Sequence, residues 1–405
     1  MIRSYINENL PTHIKAIDLY SKLSTKKDEF ILFGSMNGEY YGDNSMHLFE
    51  WTLKNRPDLN PVWLTRSDSV LQKLRTENKP VRSVYSRSGI QSLYTSRVGV
   101  FSNSLYDLAV HPVLVPKSMN LIALRHGRSV KRIRFARKDH SISERERQQR
   151  KKESQLIRYA ISTSEFISEL QEECLKIGEH KHVVTGYPRN RDLISPSTQK
   201  KDEWNRFLGY KDPSKVILYA PTWRHGREPT QFFPFEDYDI PKLNKVLIEN
   251  QVTILLRPHA NELNMFQSVR SQIDKLEQES EHIKLATHEE FADVNSILPF
   301  IDGLITDYSA IYHDFLLLNK PILFIPYDYD EFKKQNGFLY DYLANLPGPQ
   351  IDTFSDFVHH INNMSNGIDE YAKQRNYLRE KVHQYDDGNA CSRVIELVDE
   401  LRKEC

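Results

Sequence analysis

Short apolar runs alternate with stretches of helical period along the chain. In the first half they are FILFGS (30–35), PVWLT (61–65), VGVFSN (98–103), LIALRHG (121–127), YAIST (159–163) and HVVTGYP (182–188). A polar stretch, SPSTQKKDEWNRFLGYKDPSK (195–215), interrupts the series, which resumes with VILYAPTW (216–223), VTILLRPH (252–259), HIKLA (282–286), GLITD (303–307) and PILFIPY (321–327). Alternation of this kind predicts parallel sheets covered by helices. The polar break predicts two Rossmann-like domains, 1–195 and 196–405, whose sheets face across a cleft with ligands beyond the carboxyl ends of the strands. The glycine-rich dinucleotide fingerprint is absent, which argues against a nicotinamide enzyme.

One unit shows the logic at residue level. In GLITDYSAIYHDFLLLNKPILF (303–324), Gly303-Leu304-Ile305 reads as a buried strand, and Ile311, Phe315 and Leu318 then follow a helical period. Pro321 cannot continue the helix and opens the next strand. Thr306-Asp307-Tyr308-Ser309 therefore lie where a strand ends and a helix begins, a place whose free backbone N–H groups favour an anion. The plainer reading makes Asp307 or Ser309 only a helix N-cap.

Composition narrows the class. The chain has 405 residues, 39% hydrophobic and 27% charged, as expected for a two-domain globular protein. No run approaches the roughly 18 apolar residues that span a bilayer, and the start lacks the apolar core of a signal peptide, so a cytoplasmic location is expected. Cys174, Cys391 and Cys405 are widely spaced and form no metal pattern. Net charge is zero, but residues 125–153 hold 12 Lys/Arg against 4 Asp/Glu. This basic segment is either a solvated helix face or a contact for anionic lipid or a polyanionic substrate. Nucleic acid is disfavoured because aromatics are scarce within it.

Polar residues gather at the predicted strand ends: Arg125-His126-Gly127 with Lys131, Pro221-Thr222-Trp223-Arg224, Arg257-Pro258-His259, and Thr306 to Ser309. Arginine recognises phosphate through a fixed fork of donors, and histidine moves a proton near neutral pH. Each residue alone has a structural explanation. Their coincidence at four strand ends points to an active cleft for a phosphate-bearing substrate and a proton transfer.

The motifs LYAPTWR (218–224), LLRPHAN (255–261), ITDYSAIYHDFLLLNKPILFIPYDYDEF (305–332) and GFLYDYLANLPGP (337–349) resemble those of the CDP-glycerol glycerophosphotransferase family of teichoic acid and capsule assembly. GEYYGDNSMHLFE (38–50), RHGRSVKRI (125–133) and GYPRNRDL (186–193) are similar to its N-terminal motifs. The resemblance implies a GT-B fold, a donor nucleotide on the C-terminal domain, an acceptor on the N-terminal one, and a peripheral position on the inner face of the cell membrane. It matches the family's paired histidines to His126 and His259, and its phosphate-site residues to Arg224 and to Thr306, Asp307, Tyr308 and Ser309. The chain departs from the family pattern at Arg128-Ser129, at Asn190-Arg191-Asp192 and at Ala310.

The expected reaction is attack of an acceptor hydroxyl on the β-phosphorus of a CDP-linked glycerol or ribitol, releasing CMP. His126 is the expected general base. His259, Arg224, Arg257 and residues 306–309 are expected to hold the donor, and Gly127 and Lys131 to lie on the acceptor side. The acceptor is a lipid-linked molecule or an oligosaccharide of a cell-surface polymer. No carboxylate cluster requires a metal, and assistance by Mg2+ stays open. Two alternatives stand beside this reading: a GT-B glycosyltransferase or epimerase acting on a nucleotide sugar, and a non-catalytic polyanion-binding protein.

Overall fold

The computed structural model describes residues 30–127, 130–137, 143–209, 215–224 and 228–403. They divide into two compact units. The first takes the described parts of Met1–His126, Lys138–Arg191 and Asp387–Cys405; the second takes those of Gly127–Arg137 and Asp192–Asp386. The sequence reading, with one boundary near 195, differs at two places. The helix Ala390–Lys403 belongs to the first unit, and residues 127–137 belong to the second.

The first unit is a seven-stranded parallel sheet of β1 (Ile31–Gly34), β2 (Pro61–Thr65), β3 (Val81–Ser83), β4 (Val98–Phe101), β5 (Asn120–Ala123), β6 (Ile157–Ser162) and β7 (His182–Val184). Their order is β3-β2-β1-β4-β5-β6-β7. Strands covered on both faces read as continuous apolar runs, which is why six of the seven were legible. The exception, β3, has only three residues, two of them polar, and packs against β2 alone at the sheet edge.

Alternation along β1 sends Ile31 and Phe33 to one core and Leu32 to the other. The first core also takes Val394, Val398 and Leu401. These residues repeat at intervals of three and four on the helix Ala390–Lys403 and give it an apolar stripe. Such a stripe announces burial but not which sheet supplies it, so the return of this helix was invisible in the sequence.

The second unit is a five-stranded parallel sheet of β8 (Lys215–Tyr219), β9 (Val252–Leu256), β10 (Ile283–Leu285), β11 (Gly303–Thr306) and β12 (Ile322–Phe324), in the order β10-β9-β8-β11-β12. In each sheet the strand order reverses once, between β1 and β4 and between β8 and β11. Such switch points are where open α/β sheets bind ligands. The two sheets provide the Rossmann-like architecture expected of a GT-B protein.

After β11 the chain forms the helix Ile311–Phe315, closed by the 3-10 turn Leu316–Leu318. Its N-cap position is Ala310, with no side-chain capping bond. Asp307 is not the cap that the plainer reading supposed, and Ser309 meets the helix's first N–H, that of Ile311, only at 3.5 Å.

Candidate active site

In the first unit the chain leaves β1, passes Gly42 in an extended conformation and enters the helix Asp43–Asn55. Asp43 adopts a left-handed backbone, φ 61°, which Asp tolerates better than most residues. Its carboxylate is buried and held from two sides. His126 Nδ1 lies 2.7 Å from Oδ2, and Arg189 Nη1 lies 2.7 Å from Oδ1. Burial pushes the Asp43 carboxyl up, but the charges of His126 and Arg189, with hydrogen bonds from His126 and the Asn44 backbone, outweigh it and hold the group well below the usual carboxylate range.

Asn44 fixes the backbone around this pair. Its amide donates to the Arg125 carbonyl at 2.9 Å, and its Oδ1 accepts the Arg189 N–H at 3.1 Å. Segments following β1, β5 and β7 thus converge on His126, whose side chain is 54% exposed. With Nδ1 given to Asp43, Nε2 is the nitrogen left to take a proton. That arrangement, a histidine oriented by a buried carboxylate, is what a general base requires. The sequence pointed to His126 but missed Asp43 and Arg189 as its supports.

In the second unit Arg224, Asp307, Asp328 and Tyr308 form one buried network. Arg224 Nη1 lies 2.7 Å from Asp307, while its Nε and Nη2 donate to the two Asp328 oxygens at 3.1 and 3.0 Å. Asp307 also accepts the Thr222 N–H at 2.7 Å, and the Tyr308 hydroxyl donates to Asp328 at 2.9 Å. The Thr306 hydroxyl donates to the Ala220 carbonyl. Loops after β8, β11 and β12 are tied together in this way. The expectation that Arg224, Thr306, Asp307 and Tyr308 all face the donor therefore needs revision, because their polar groups are committed to one another and to the backbone. Half-buried Ser309 is the member of the motif left closest to the surface, its hydroxyl 3.5 Å from the Ile311 N–H.

Lys131 joins this network instead of the acceptor side. Residues 127–137, and so Gly127 and Lys131, belong to the second unit. A β-bridge pairs Lys131 with Phe338, and the ammonium sits 5.7 Å from the centre of the Phe332 ring. Burial pushes the Lys131 amine down to about 8, against the pull of Asp307 and with the help of Arg224. The basic segment 125–153 is accordingly shared between the two units, and Arg128, Ser129 and 138–142 lie outside the described residues.

His259 follows β9 and lies exposed against Trp223, the rings stacked at 4.6 Å with an interplanar angle of 10°. Its Nδ1 accepts the Asn261 N–H at 3.2 Å. An accepting Nδ1 leaves the proton on Nε2 in the neutral ring. Glu262, buried, completes the cap by accepting the His259 N–H and bonding Thr230. Arg257, expected to hold the donor, is engaged by the backbone. Its guanidinium donates to the carbonyls of Ala286, Thr287 and Phe291 and so braces the loop after β10.

Among the described residues no group of three or more His, Cys, Asp or Glu is arranged to hold a metal ion, and no helix is long and apolar enough to cross a membrane.

The two parallel sheets are those of a GT-B-type transferase, with polar residues gathered where their strands end. The family model described as CDP-glycerol:poly(glycerophosphate) glycerophosphotransferase matches residues 17–400, and the chain belongs to that family. It is similar to the teichoic acid glycerol-phosphate transferase of Staphylococcus aureus (strain NCTC 8325 / PS 47), 26% identical over 98% of each chain. It is also similar to a teichoic acid poly(glycerol phosphate) polymerase of Staphylococcus epidermidis, 24% identical over 96% of this chain and 53% of the relative, so it spans about half of that longer protein. The structure of the wall teichoic acid polymerase TagF shares its fold, with a TM-score of 0.78 and 22% identity over 100% of this chain and 97% of the other. The chain is a polyol-phosphate transferase of this family, which sets aside both the nucleotide-sugar and the non-catalytic alternatives.

Proposed function

We propose that this protein transfers glycerol phosphate from CDP-glycerol to a hydroxyl of a lipid-linked or oligosaccharide acceptor in cell-surface polymer synthesis. Glycerol is favoured over ribitol because the relative matched along the whole of both chains is named a glycerol-phosphate transferase. His126 Nε2 takes the proton of the attacking hydroxyl as its oxygen bonds to the β-phosphorus. The bond from that phosphorus to the bridging oxygen breaks, and its electron pair leaves with CMP. The His259 Nε2–H, the Lys131 ammonium and Ser309 hold the phosphoryl oxygens, while Arg224, Asp307, Asp328 and Tyr308 keep the surrounding loops in place. A loose phosphoryl-transfer transition state asks mainly for positioning and charge stabilisation. No step is assigned to Mg2+.

The observation that carries the reading is the Asp43–His126 contact at 2.7 Å, which leaves one imidazole nitrogen as acceptor. His126→Ala should lower CMP release by about 10²–10⁴, with CDP-glycerol binding by calorimetry retained. Turnover near the parent rate would contradict it.

We also place the protein peripherally on the inner face of the cell membrane. The helix Glu144–Leu156 exposes Lys151 and Lys152, which supports contact with anionic lipid. Binding to anionic vesicles that weakens with salt tests this; binding indifferent to salt would count against it.

A further inference from the structure

We propose that His182 is a positioning residue for the general base: its neutral ring, held by Glu172, seats the Arg125 guanidinium, and protonation of that ring displaces the Arg125-His126 segment. The inference rests on the proposed role of His126. Arg125 follows β5 and directly precedes that histidine, its backbone in the left-handed region at φ 64° and its carbonyl held by the Asn44 amide at 2.9 Å. Such a backbone costs energy in a non-glycine residue and persists only where the surroundings hold it. What holds the Arg125 side chain therefore bears on where His126 stands.

Arg125 is buried, and its charge is felt by His182, whose side chain is 1% exposed. Ala123 of β5, Ala160 of β6 and His182 of β7 stand in register across the sheet. Two alanines leave that face shallow, so a long side chain from the end of β5 has room to lie across β6 toward β7. His182 Nε2 lies 3.0 Å from Glu172 Oε2. The same carboxylate accepts the N–H groups of Ile177 and Gly178, each at 3.1 Å, which fixes it beside the end of the helix Glu165–Leu175. A neutral ring that donates through Nε2 keeps a lone pair on Nδ1. His182 Nδ1 is buried without a hydrogen-bond partner, and so is Arg125 Nε. The first is an acceptor and the second a donor.

The neutral ring thus offers the buried guanidinium a lone pair. A protonated ring sets a second cation near it, where burial makes the repulsion of like charges strong. Burial, reinforced by Arg125, holds the His182 ring below the usual histidine range, against the pull of Glu172 and Glu179. These are the charged groups that act on it: Glu172 from the helix Glu165–Leu175, Glu179 from the turn Glu179–Lys181, and Arg125 from the end of β5. The ring is therefore neutral at neutral pH and charges on acidification. Arg125 is joined to His126 by one peptide bond, so its displacement reaches the base directly.

The test is the pH dependence of kcat, read as CMP release by the full chain. In the parent the acid limb of log kcat should fall with a slope approaching two, one proton for His126 and one for His182. His182→Asn places an amide oxygen near the position of Nδ1 and does not titrate, so it should keep most of kcat at neutral pH and show a slope of one. His182→Leu offers no acceptor and should lower kcat by about tenfold to a hundredfold with the KM for CDP-glycerol unchanged. A slope of one in the parent, or of two kept in His182→Asn, would overturn the proposal. If the His182 variants do not fold, the ring signals of nitrogen-15-histidine-labelled parent decide, with those of His126 assigned by their loss in His126→Gln. On acidification they should show an inflection that moves to lower pH in Glu172→Gln, and a profile without one overturns the proposal. This readout needs no substrate, so failure of CDP-glycerol to react, or turnover that survives His126→Ala, would count against the proposed function and leave the readout intact.

Discussion

Asp43 Oδ2 lies 2.7 Å from His126 Nδ1, a contact between residues 83 positions apart in the sequence. It fixes which imidazole nitrogen faces outward, and the opposite carboxylate oxygen is held by Arg189. If this orientation is what makes His126 a base, Asp43→Asn should lower kcat by about 10²–10⁴ while the KM for CDP-glycerol changes little. A thermal melt run alongside separates orientation from unfolding. A variant that folds normally and turns over normally would show that His126 does not depend on Asp43.

Arg224 should behave as a structural residue. It is 6% exposed and bound to Asp307 and Asp328. Arg224→Met leaves two carboxylates facing each other in a buried place and should destabilise the protein by about 3–5 kcal/mol, read by denaturant unfolding. Loss of donor affinity with stability intact would return Arg224 to the role the sequence suggested.

His259 should act as a hydrogen-bond donor and not as a base. His259→Ala should cost about 10²–10³ in kcat, the effect of losing one donor to a developing charge. In His259→Gln an amide N–H reaches the neighbourhood of Nε2, so it should recover a substantial part of that loss, and His259→Asn, whose shorter amide does not, should recover little. Equal loss in the two amide variants would point to proton transfer at this residue.

Lys131 predicts a pH dependence. Burial holds its amine down to about 8, so it is charged below that pH and neutral above. Attraction for the donor's phosphates should then be present at lower pH and fade as pH rises through about 8, seen as a falling kcat/KM for CDP-glycerol. Lys131→Arg, which stays charged, should shift that limb upward. A profile flat well beyond that pH in the parent, matched by Lys131→Met, would remove Lys131 from the donor site.

The strands were legible because buried parallel strands are written as apolar runs, and the polar residues that close each run stand out against the same pattern. What those residues do to one another could not be read. Arg224 and Asp328 are 104 positions apart, and no spacing rule connects them. A cation at a strand end looks the same in sequence whether it faces a ligand or two aspartates. Asp43 was hidden for a related reason: it follows a glycine at a helix start, where an acidic residue is already expected on local grounds. Lys131 was placed on the wrong unit because the chain enters the second unit at Gly127, one residue after His126, and no break in composition marks the crossing.

Which bond of the donor breaks is the central question. With CDP-glycerol and a hydroxyl acceptor, mass spectrometry of the released nucleotide should find CMP. The acceptor should gain one glycerol phosphate in phosphodiester linkage, seen by its mass and by phosphorus NMR. Release of CDP, with no phosphorus added to the acceptor, would mean that the bond to the polyol carbon is cleaved and would contradict phosphoryl transfer by this site.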